Sequence, residues 1–297
     1  MKKTASVILI TFLTIIVIGV SILFVMLLNG NLKLDGLKFK LNLKSSYITE
    51  IAIDEVYDNT FDGININTTA GNINIYTSKE DNIKLVINNK KENTIVSTDL
   101  NALNIDVKSK KCHFFCINPK IAKIDLYLPI NFNKDIKITT EYGDIKIERF
   151  KDANFDIKSN YGDIKIDDAN YANLDLDYGD VSINEINELV ANTNCGDIKI
   201  GRVNDLVATS NYGDIKVQTV TSSLTIDCDC GDVKIINLAL TKDSIIKNSF
   251  GDVKIKSMKN VYVDAKTSLG DVKVKDNDKA SNNTLTIRND CGDIEVN

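Results

Sequence analysis

The chain has 297 residues, a formal net charge of −5, two Pro, no Trp and a single His. The lone His113 argues against His-based catalysis and multi-histidine metal sites. Acidic and basic residues alternate along the chain, which excludes the clustered basic face typical of nucleic-acid binding. The length predicts two domains or one elongated repeat array. Ile, Asn, Lys and Asp dominate the composition. Ile and Val favour strands, whereas Asn, Asp and Gly favour turns, so we expect an all-β protein.

The first predicted element is a transmembrane anchor at residues 7–28, preceded by a short cytoplasmic tail at residues 1–6. The run holds 22 residues without a charge, enough for a helix to cross a hydrocarbon core of about 30 Å. The alternative is a cleaved signal peptide, which has an apolar region of about 7–15 residues and a small-residue cleavage site. This run is longer, and the residues around Leu28 and Asn29 offer no such site. We therefore expect an uncleaved anchor.

The charges on the two sides of the anchor favour opposite orientations in the membrane. Lys2 and Lys3 favour a cytoplasmic N-terminus, whereas the lysines from Lys33 to Lys44 argue for the reverse orientation. Long domains that follow an anchor are translocated largely regardless of their charge. The prediction is a single-pass cell-membrane protein whose N-terminus is cytoplasmic and whose C-terminal domain is extracellular.

Two irregular segments follow the anchor. Residues 29–60 are predicted to form a linker and an N-terminal cap, and residues 61–135 the irregular first coils of a solenoid. Alternation of apolar and polar residues predicts strands in the second segment, and these are residues 64–67, 83–87, 103–107 and 124–128. We interpret Gly71-Asn72, followed by Ile-Asn-Ile, as a degenerate copy of the repeat that comes next.

The main signal is a repeat that fills residues 136–297. The dipeptide Gly-Asp recurs nine times at intervals of 17–22 residues. Its glycines are Gly143, Gly162, Gly179, Gly196, Gly213, Gly231, Gly251, Gly270 and Gly292. We assign each of them to a structural corner, where the backbone bends sharply or adopts a positive φ.

Apolar residues occupy fixed positions relative to each glycine. Ile or Val stands two and four residues after it, as at Ile145 and Ile147, with a mostly polar position between them. Further apolar positions lie five residues before the glycine and seven residues after it, as at Ile138 and Phe150. The residue directly before the glycine, most often Tyr or Cys, is predicted to face inward with them.

These columns predict a β-solenoid. Each unit is interpreted as strand, Gly-Asp corner, strand and turn, too small to bury its apolar face without stacking on its neighbours about 4.8 Å away. Tandem hairpins in a sandwich are the less favoured alternative, because a sandwich does not need such strict columns. The chain is predicted to end on an exposed edge strand at residues 293–297, where charged side chains limit end-to-end pairing.

The outward positions carry charges of both signs. Asp follows each of the nine glycines directly, and Lys stands two residues later in most repeats. Lysines stacked on lysines repel one another, and the neighbouring aspartates can relieve that repulsion. Alternating Asp and Lys ladders that only solvate the surface are the favoured interpretation, and a ligand-binding stripe is the alternative.

The N-terminal anchor, the Leu-Pro strand at Tyr127-Leu128-Pro129 and the repeated Tyr-Gly-Asp-Ile-Lys-Ile units resemble a bacterial family. It is the β-strand-repeat "putative adhesin" family, domain of unknown function 4097, and the resemblance covers roughly residues 60–297. The resemblance implies a surface-exposed β-solenoid of a membrane-anchored envelope protein, sometimes encoded beside envelope-stress genes. It brings no catalytic residues to carry over.

Six Cys are present. Cys112 and Cys116 can close a small disulfide loop outside the cell or remain free. With His113 they supply only three of the four ligands of a structural zinc site, so we expect no metal. Three other Cys replace Tyr before the glycine, at Cys195, Cys230 and Cys291. Cys195 and Cys230 are predicted to lie two coils apart, too far to form a disulfide. We expect these cysteines and Cys228 to be buried free thiols.

Three classes of function fit the sequence. The favoured one is a non-catalytic surface interaction protein, adhesin-like or associated with the cell envelope, that binds an envelope polymer or a surface protein. The alternative is a sensory or regulatory ectodomain of an envelope-stress system that acts through a membrane partner. A polysaccharide-active β-helix enzyme is less favoured, because the aspartates spread along the axis instead of clustering in a cleft. No cofactor is expected, and calcium-binding repeats use a different, nonapeptide pattern.

Overall fold

The computed structural model describes residues 46–99, 101–108, 120–275 and 277–297. Within these residues the chain forms twenty-one β-strands and one short 3-10 helix at Lys91–Asn93. In chain order the strands are β1 (Ser46–Tyr47), β2 (Ile51–Tyr57), β3 (Gly63–Thr68), β4 (Gly71–Ser78), β5 (Ile83–Asn88), β6 (Thr94–Thr98), β7 (Ala102–Val107), β8 (Lys120–Pro129), β9 (Asp135–Tyr142), β10 (Ile145–Tyr161), β11 (Ile164–Tyr178), β12 (Val181–Cys195), β13 (Ile198–Tyr212), β14 (Ile215–Cys230), β15 (Val233–Ala239), β16 (Ser244–Phe250), β17 (Val253–Lys259), β18 (Tyr262–Leu269), β19 (Val272–Val274), β20 (Thr284–Cys291) and β21 (Ile294–Val296).

Successive coils stack as parallel strands in register. From β10 to β14 each strand pairs with the next along nearly its whole length. Ile145 therefore lies beside Ile164, and Ile164 lies beside Val181. The spacing of the repeat explains this register, because each coil returns every column to the same place above its predecessor. The predicted all-β solenoid is confirmed.

The predicted apolar columns form one continuous core. Side chains two and four residues after each glycine, and five residues before it, are buried in every regular coil except the terminal one. Full burial stabilises each of these Ile, Val or Leu side chains by about 1.5–3 kcal/mol relative to exposure. The exceptions in the terminal coil are Val272, which is exposed, and Ala265 and Val274, which are half-buried.

In the coils of β10 to β14 the chain runs between corners as one continuous strand, instead of the two strands and a turn expected from the sequence. The expected division is found in the coil of β15 and β16 and in that of β17 and β18. Strands β11, β12 and β13 each span 15 residues. The bend lies where two outward residues separate two buried ones, as between Ala169 and Ala172. Parallel pairing with the next coil continues on both sides of this bend, so the coil needs no separate turn.

The first coils are not stacked in chain order. Strand β3 lies between β7 and β9, and β4 lies between β8 and β10. The later coil of β7 and β8 therefore lies outside the earlier coil of β3 and β4. Antiparallel strands then complete this end of the sheet, since β5 pairs with β8 and β2, and β6 pairs with β7.

The last coils are also exchanged. Strand β20 lies between β16 and β18, and β21 lies between β17 and β19. The prediction that the chain ends on an exposed edge strand is therefore wrong, because Ile294 and Val296 are buried between two other coils. The edge consists instead of β18 and β19, where the inward Val272 is 45% exposed.

The predicted anchor at residues 7–28 lies outside the described residues. Among the residues that the structure does describe, no helix is long and apolar enough to cross a membrane.

Candidate functional site

The Gly-Asp corner is defined by backbone geometry that only glycine tolerates. Gly196 has a φ of +158°, and a Cβ at this position would lie 2.0 Å from the carbonyl oxygen of Gly179 in the preceding coil. The Gly196 N–H donates a hydrogen bond of 2.9 Å to the carbonyl of Tyr212 in the following coil. A side chain on the glycine would therefore clash with the backbone of the preceding coil.

The residue before each glycine points out of the solenoid. The inward alternation stops three residues before the glycine, and the bend turns the next side chains outward. The predicted inward ladder of tyrosines is therefore wrong: Tyr142, Tyr161, Tyr178, Tyr212 and Phe250 are all exposed. We call these positions the corner column, which in stacking order consists of Tyr142, Tyr161, Tyr178, Cys195, Tyr212, Cys230, Phe250, Cys291 and Leu269.

The first three residues of the corner column form a stack of rings. The ring centroids of Tyr142 and Tyr161 are 4.9 Å apart with planes 4° from parallel, and those of Tyr161 and Tyr178 are 5.1 Å apart with planes 3° from parallel. The exposed fraction of each tyrosine falls as the number of stacked neighbouring rings rises. Tyr161, with two, is 43% exposed, whereas Tyr142 and Tyr178, with one each, are 50% and 49% exposed.

Beyond Tyr178 the corner column alternates between small and large side chains. Cys195 separates Tyr178 from Tyr212, and Cys230 separates Tyr212 from Phe250. Tyr212 therefore has no aromatic neighbour on either side and is 64% exposed, while Phe250 is 58% exposed. The exchanged last coils extend this alternation, because they place Cys291 between Phe250 and Leu269.

Each cysteine of the corner column forms the floor of a slot between two larger side chains, which we call a corner slot. Coils lie about 4.8 Å apart, so the two residues that flank a slot are separated by roughly 9.6 Å along the axis. In the stack of Tyr142, Tyr161 and Tyr178, one ring fills the same interval. A corner slot is therefore about as wide as one flat ring.

An aspartate ladder runs beside the corner column. The backbone N–H of Asp180 donates to Oδ1 of Asp163 at 2.9 Å, and the N–H of Asp197 donates to Oδ1 of Asp180 at 2.9 Å. The same bond links every aspartate that follows a corner glycine to its neighbour in the stack, from Asp144 through to Asp293 and Asp271. One oxygen of each linked carboxylate thus satisfies an amide at the corner.

Asp197 and Asp214 of this ladder are stabilised in their ionised form. Hydrogen bonds from the Asp214 N–H and then from Lys199 lower the pKa of Asp197. The Lys216 ammonium, 2.8 Å from the carboxylate, lowers the pKa of Asp214, and the amide of Asp232 adds to this effect. These aspartates are therefore anionic acceptors at neutral pH, which is unfavourable for a general acid.

A buried polar column, three residues before each glycine, was missed by the sequence analysis. Several members close the corner from inside. Ser210 donates through Oγ to the carbonyl of Gly213 at 3.2 Å, and Asn248 donates through its side-chain amide to the carbonyl of Gly251 at 2.9 Å. A recurrent small or polar residue at this place was the available signal. The buried polar members are Thr68, Thr140, Ser159, Thr193, Ser210, Asn248 and Asn289, while the same column holds the buried Leu176 and Cys228 and the half-buried Thr267.

A groove of about 490 Å³ runs along the outer face after the corner. We call it the lysine groove, because its lining includes four lysines and no acidic residue. Three of these lysines lie in consecutive coils, where Lys199 is beside Lys216 and Lys216 is beside Lys234. The lining residues are Lys165, Ile166, Ser182, Ile183, Asn184, Lys199, Ile200, Gly201, Lys216, Val217, Gln218, Lys234 and Ile236.

The cysteines differ from the sequence-based expectation. Cys112 and Cys116, the possible disulfide, lie outside the described residues. Cys195, Cys230 and Cys291 are free and half-buried instead of fully buried, because the corner turns them outward. Cys228 is the buried thiol, and burial raises its pKa to about 12. Among the described residues, no three His, Cys, Asp or Glu side chains converge as a metal site would require.

Fold and corner together define a class of protein, a parallel β-solenoid with one Gly-Asp corner in each regular coil. The chain belongs to the Toastrack family, DUF4097, whose model matches residues 61–187 and 180–297. The predicted family membership is thereby confirmed. No curated protein matches the sequence.

The solved structures that match the chain share little sequence with it. A "putative lipid binding protein" from Parabacteroides distasonis is 13% identical, with a TM-score of 0.44, 84% of this chain covered and 97% of that chain. A "putative adhesin" from Bacteroides fragilis is 18% identical, with a TM-score of 0.38 and coverage of 84% and 97%. A "putative cell adhesion protein" from Clostridium sporogenes is 15% identical, with a TM-score of 0.27 and coverage of 82% and 98%.

Proposed function

We propose that the chain is a non-catalytic surface interaction protein of the cell envelope, and that its corner column binds a linear glycan of the envelope. The observation that carries the proposal is the pair of exposed rings at Tyr212 and Phe250. Each ring has a small cysteine on both sides in the stack, so its faces are open to a ligand.

Exposed aromatic rings favour a ligand with flat apolar faces. Aromatic side chains bury a large area and prefer stacked contacts, and the ring of a sugar presents C–H groups that pack against such a face. A corner slot has room for one ring. Its neighbouring aspartate ladder supplies acceptors for hydroxyl groups, since only one oxygen of each carboxylate is used by the next coil.

Repetition of the slots favours a polymer over a single sugar. Three corner slots follow one another along the axis, at Cys195, Cys230 and Cys291. A ligand with repeating units can occupy several of them at once, which raises the overall affinity without a strong contact at any one slot. This suits a surface protein that holds a polymer and does not process it.

The aspartates support binding rather than catalysis. They are spaced evenly along the solenoid, one for each corner, and their carboxylates hold backbone amides of neighbouring coils. The pKa of Asp214 and that of Asp252 are both lowered by hydrogen bonds from lysine ammonium groups. A glycosidase needs a second, protonated carboxylic acid opposite the first, whereas the lowered pKa values of Asp214 and Asp252 keep these carboxyl groups ionised at neutral pH.

The proposed position of the protein follows from the sequence. With residues 7–28 as an anchor and residues 1–6 in the cytoplasm, the solenoid is displayed outside the cell. Its corner column is then available to polymer of the same envelope or of a neighbouring cell. This placement motivates the choice of an envelope glycan as the ligand.

Co-sedimentation of the full-length protein with insoluble envelope glycan tests the proposal. We expect the double variant Tyr212→Ala/Phe250→Ala to bind at least about tenfold more weakly, because truncation of stacked aromatic residues removes the dominant contacts. The matched control is Val207→Ala, which removes an apolar side chain that is also exposed but lies off the corner. Equal binding by the wild type and the double variant would contradict the proposal.

A further inference from the structure

The lysine groove carries positive charge on a protein whose formal net charge is −5. Lys165, Lys199, Lys216 and Lys234 line it without any acidic residue in the lining. A concave surface lined by one sign of charge concentrates counter-ions of the other sign. The lining of the groove therefore carries one sign of charge, and aspartates lie beside two of its four lysines.

The stacking of these lysines is unfavourable without an anion. Lys199, Lys216 and Lys234 lie side by side in three consecutive coils, and like charges directly opposite on adjacent strands destabilise a sheet. Aspartates offset this cost at two places, where Lys199 is 3.1 Å from Asp197 and Lys216 is 2.8 Å from Asp214.

The charges of the two lysines at the ends of the groove are not offset by aspartates in this way. Among the described residues, no acidic group lies within ion-pair distance, 4.0 Å, of the Lys165 or Lys234 ammonium. Each can therefore receive an anion without breaking an ion pair of the protein.

We propose that the lysine groove binds the repeating anionic groups, phosphate or carboxylate, of a linear polymer that lies along the solenoid axis. The inference rests on the proposed function and specifies its ligand as a charged polymer. Lysines of successive coils are about 4.8 Å apart, so anionic groups repeating every roughly 5–10 Å can each meet a lysine. The groove lies four residues beyond the corner column along each coil, and both run along the axis.

Salt dependence of binding measures the contribution of the groove. The full-length protein is titrated with polyphosphate, with polygalacturonate and with an uncharged glucan. For the two polyanions we expect affinity to fall steeply with salt, because each neutralised charge releases a counter-ion. The polyanion that binds at least about tenfold tighter identifies phosphate or carboxylate as the preferred group. Binding to neither polyanion would overturn the inference.

Paired variants locate the site. Lys165→Gln/Lys234→Gln removes two charges from the groove, and Lys146→Gln/Lys273→Gln removes two from the same column outside it. We expect the first pair to weaken polyanion binding about tenfold at low salt and to reduce the salt slope by about 2. Equal losses in both pairs would show that only net charge matters and would overturn the inference.

The same titrations separate this inference from the proposed function. Suppose that the uncharged glucan binds the groove variant as tightly as the wild type and does not bind Tyr212→Ala/Phe250→Ala. The corner column is then a glycan site. If polyanion binding is also insensitive to the groove variant, the groove inference fails alone. Loss of neither ligand in either variant would overturn both.

Discussion

Filling one corner slot from within the protein should affect stability and binding in opposite directions. Cys195 lies between Tyr178 and Tyr212 in the stack, so Cys195→Tyr would place a ring where the first three tyrosines already show one. Stacked in the same manner, the new ring would contact both neighbours. A cross-strand aromatic pair contributes roughly 0.2–1 kcal/mol on a sheet surface, and two pairs therefore contribute about 0.4–2 kcal/mol.

The expected result is a protein that is more stable to urea and binds glycan less well. The gain in stability should raise the urea midpoint, and occupation of the slot by the new ring should weaken glycan binding. Cys195→Ala is the control, because it removes the thiol but leaves the slot open and should bind as the wild type does. A Cys195→Tyr protein that folds, is no less stable and still binds glycan at full affinity would refute the assignment of the slot.

Three further predictions concern the corner, the core and the ladder. The unfolding free energy should fall by about 1 kcal/mol in Ser210→Ala, because the Gly213 carbonyl loses its hydrogen bond from Ser210 Oγ. It should fall by less in Ser159→Ala, because the Oγ of Ser159, also buried, has no hydrogen-bond partner among the described residues. Ile294→Ala should cost about 2–5 kcal/mol and Val272→Ala less than about 1 kcal/mol, as urea denaturation will show; the reverse order would contradict the exchanged last coils. The pKa of Asp214 is lowered in the folded protein, so its ionised form adds stability that is fully present above its unfolded pKa near 4 and lost as pH falls through the folded pKa. Between about pH 5 and pH 2, Asp214→Asn should therefore lose less unfolding free energy than the wild type does. A variant with the same pH profile as the wild type would contradict this assignment.

The regular core could be predicted because its information is local. Apolar alternation at Ile145 and Ile147 indicates a strand with one buried face, and equal spacing between coils indicates that the columns stack. Both follow from chain periodicity alone. The positions of Ile164 and Val181 beside one another confirm the register.

The corner could not be predicted from the same alternation. Counting by twos from Ile157 through Ser159 places Tyr161 inward, but the backbone turns at Gly162, where φ is +135°. A residue next to such a bend no longer follows the strand period. This is why an exposed aromatic column looked like part of the core, and why the candidate site was missed from the sequence.

The exchanged end coils depend on contacts between segments distant in the chain. Coil order at the ends is not encoded by the repeat, because every coil offers the same apolar columns to any neighbour. The degenerate pattern around Gly71 and the longer interval before Gly292 mark where order changes, but neither indicates which coil lies outermost. The alternation of Cys and large residues in the corner column is visible in chain order as far as Phe250, but its extension through Cys291 to Leu269 appears only after that exchange.

Alkylation of the cysteine thiols in the presence of bound glycan tests the central claim most directly. Mass spectrometry of the full-length protein gives a rate for each cysteine, with Cys228 as an internal reference that reacts slowly because it is buried and its pKa is about 12. We predict that glycan slows alkylation of Cys195 and Cys230 severalfold, since a ring in each corner slot covers the thiol at its floor. Unchanged rates at both cysteines, under conditions where the glycan is bound, would contradict binding at the corner column.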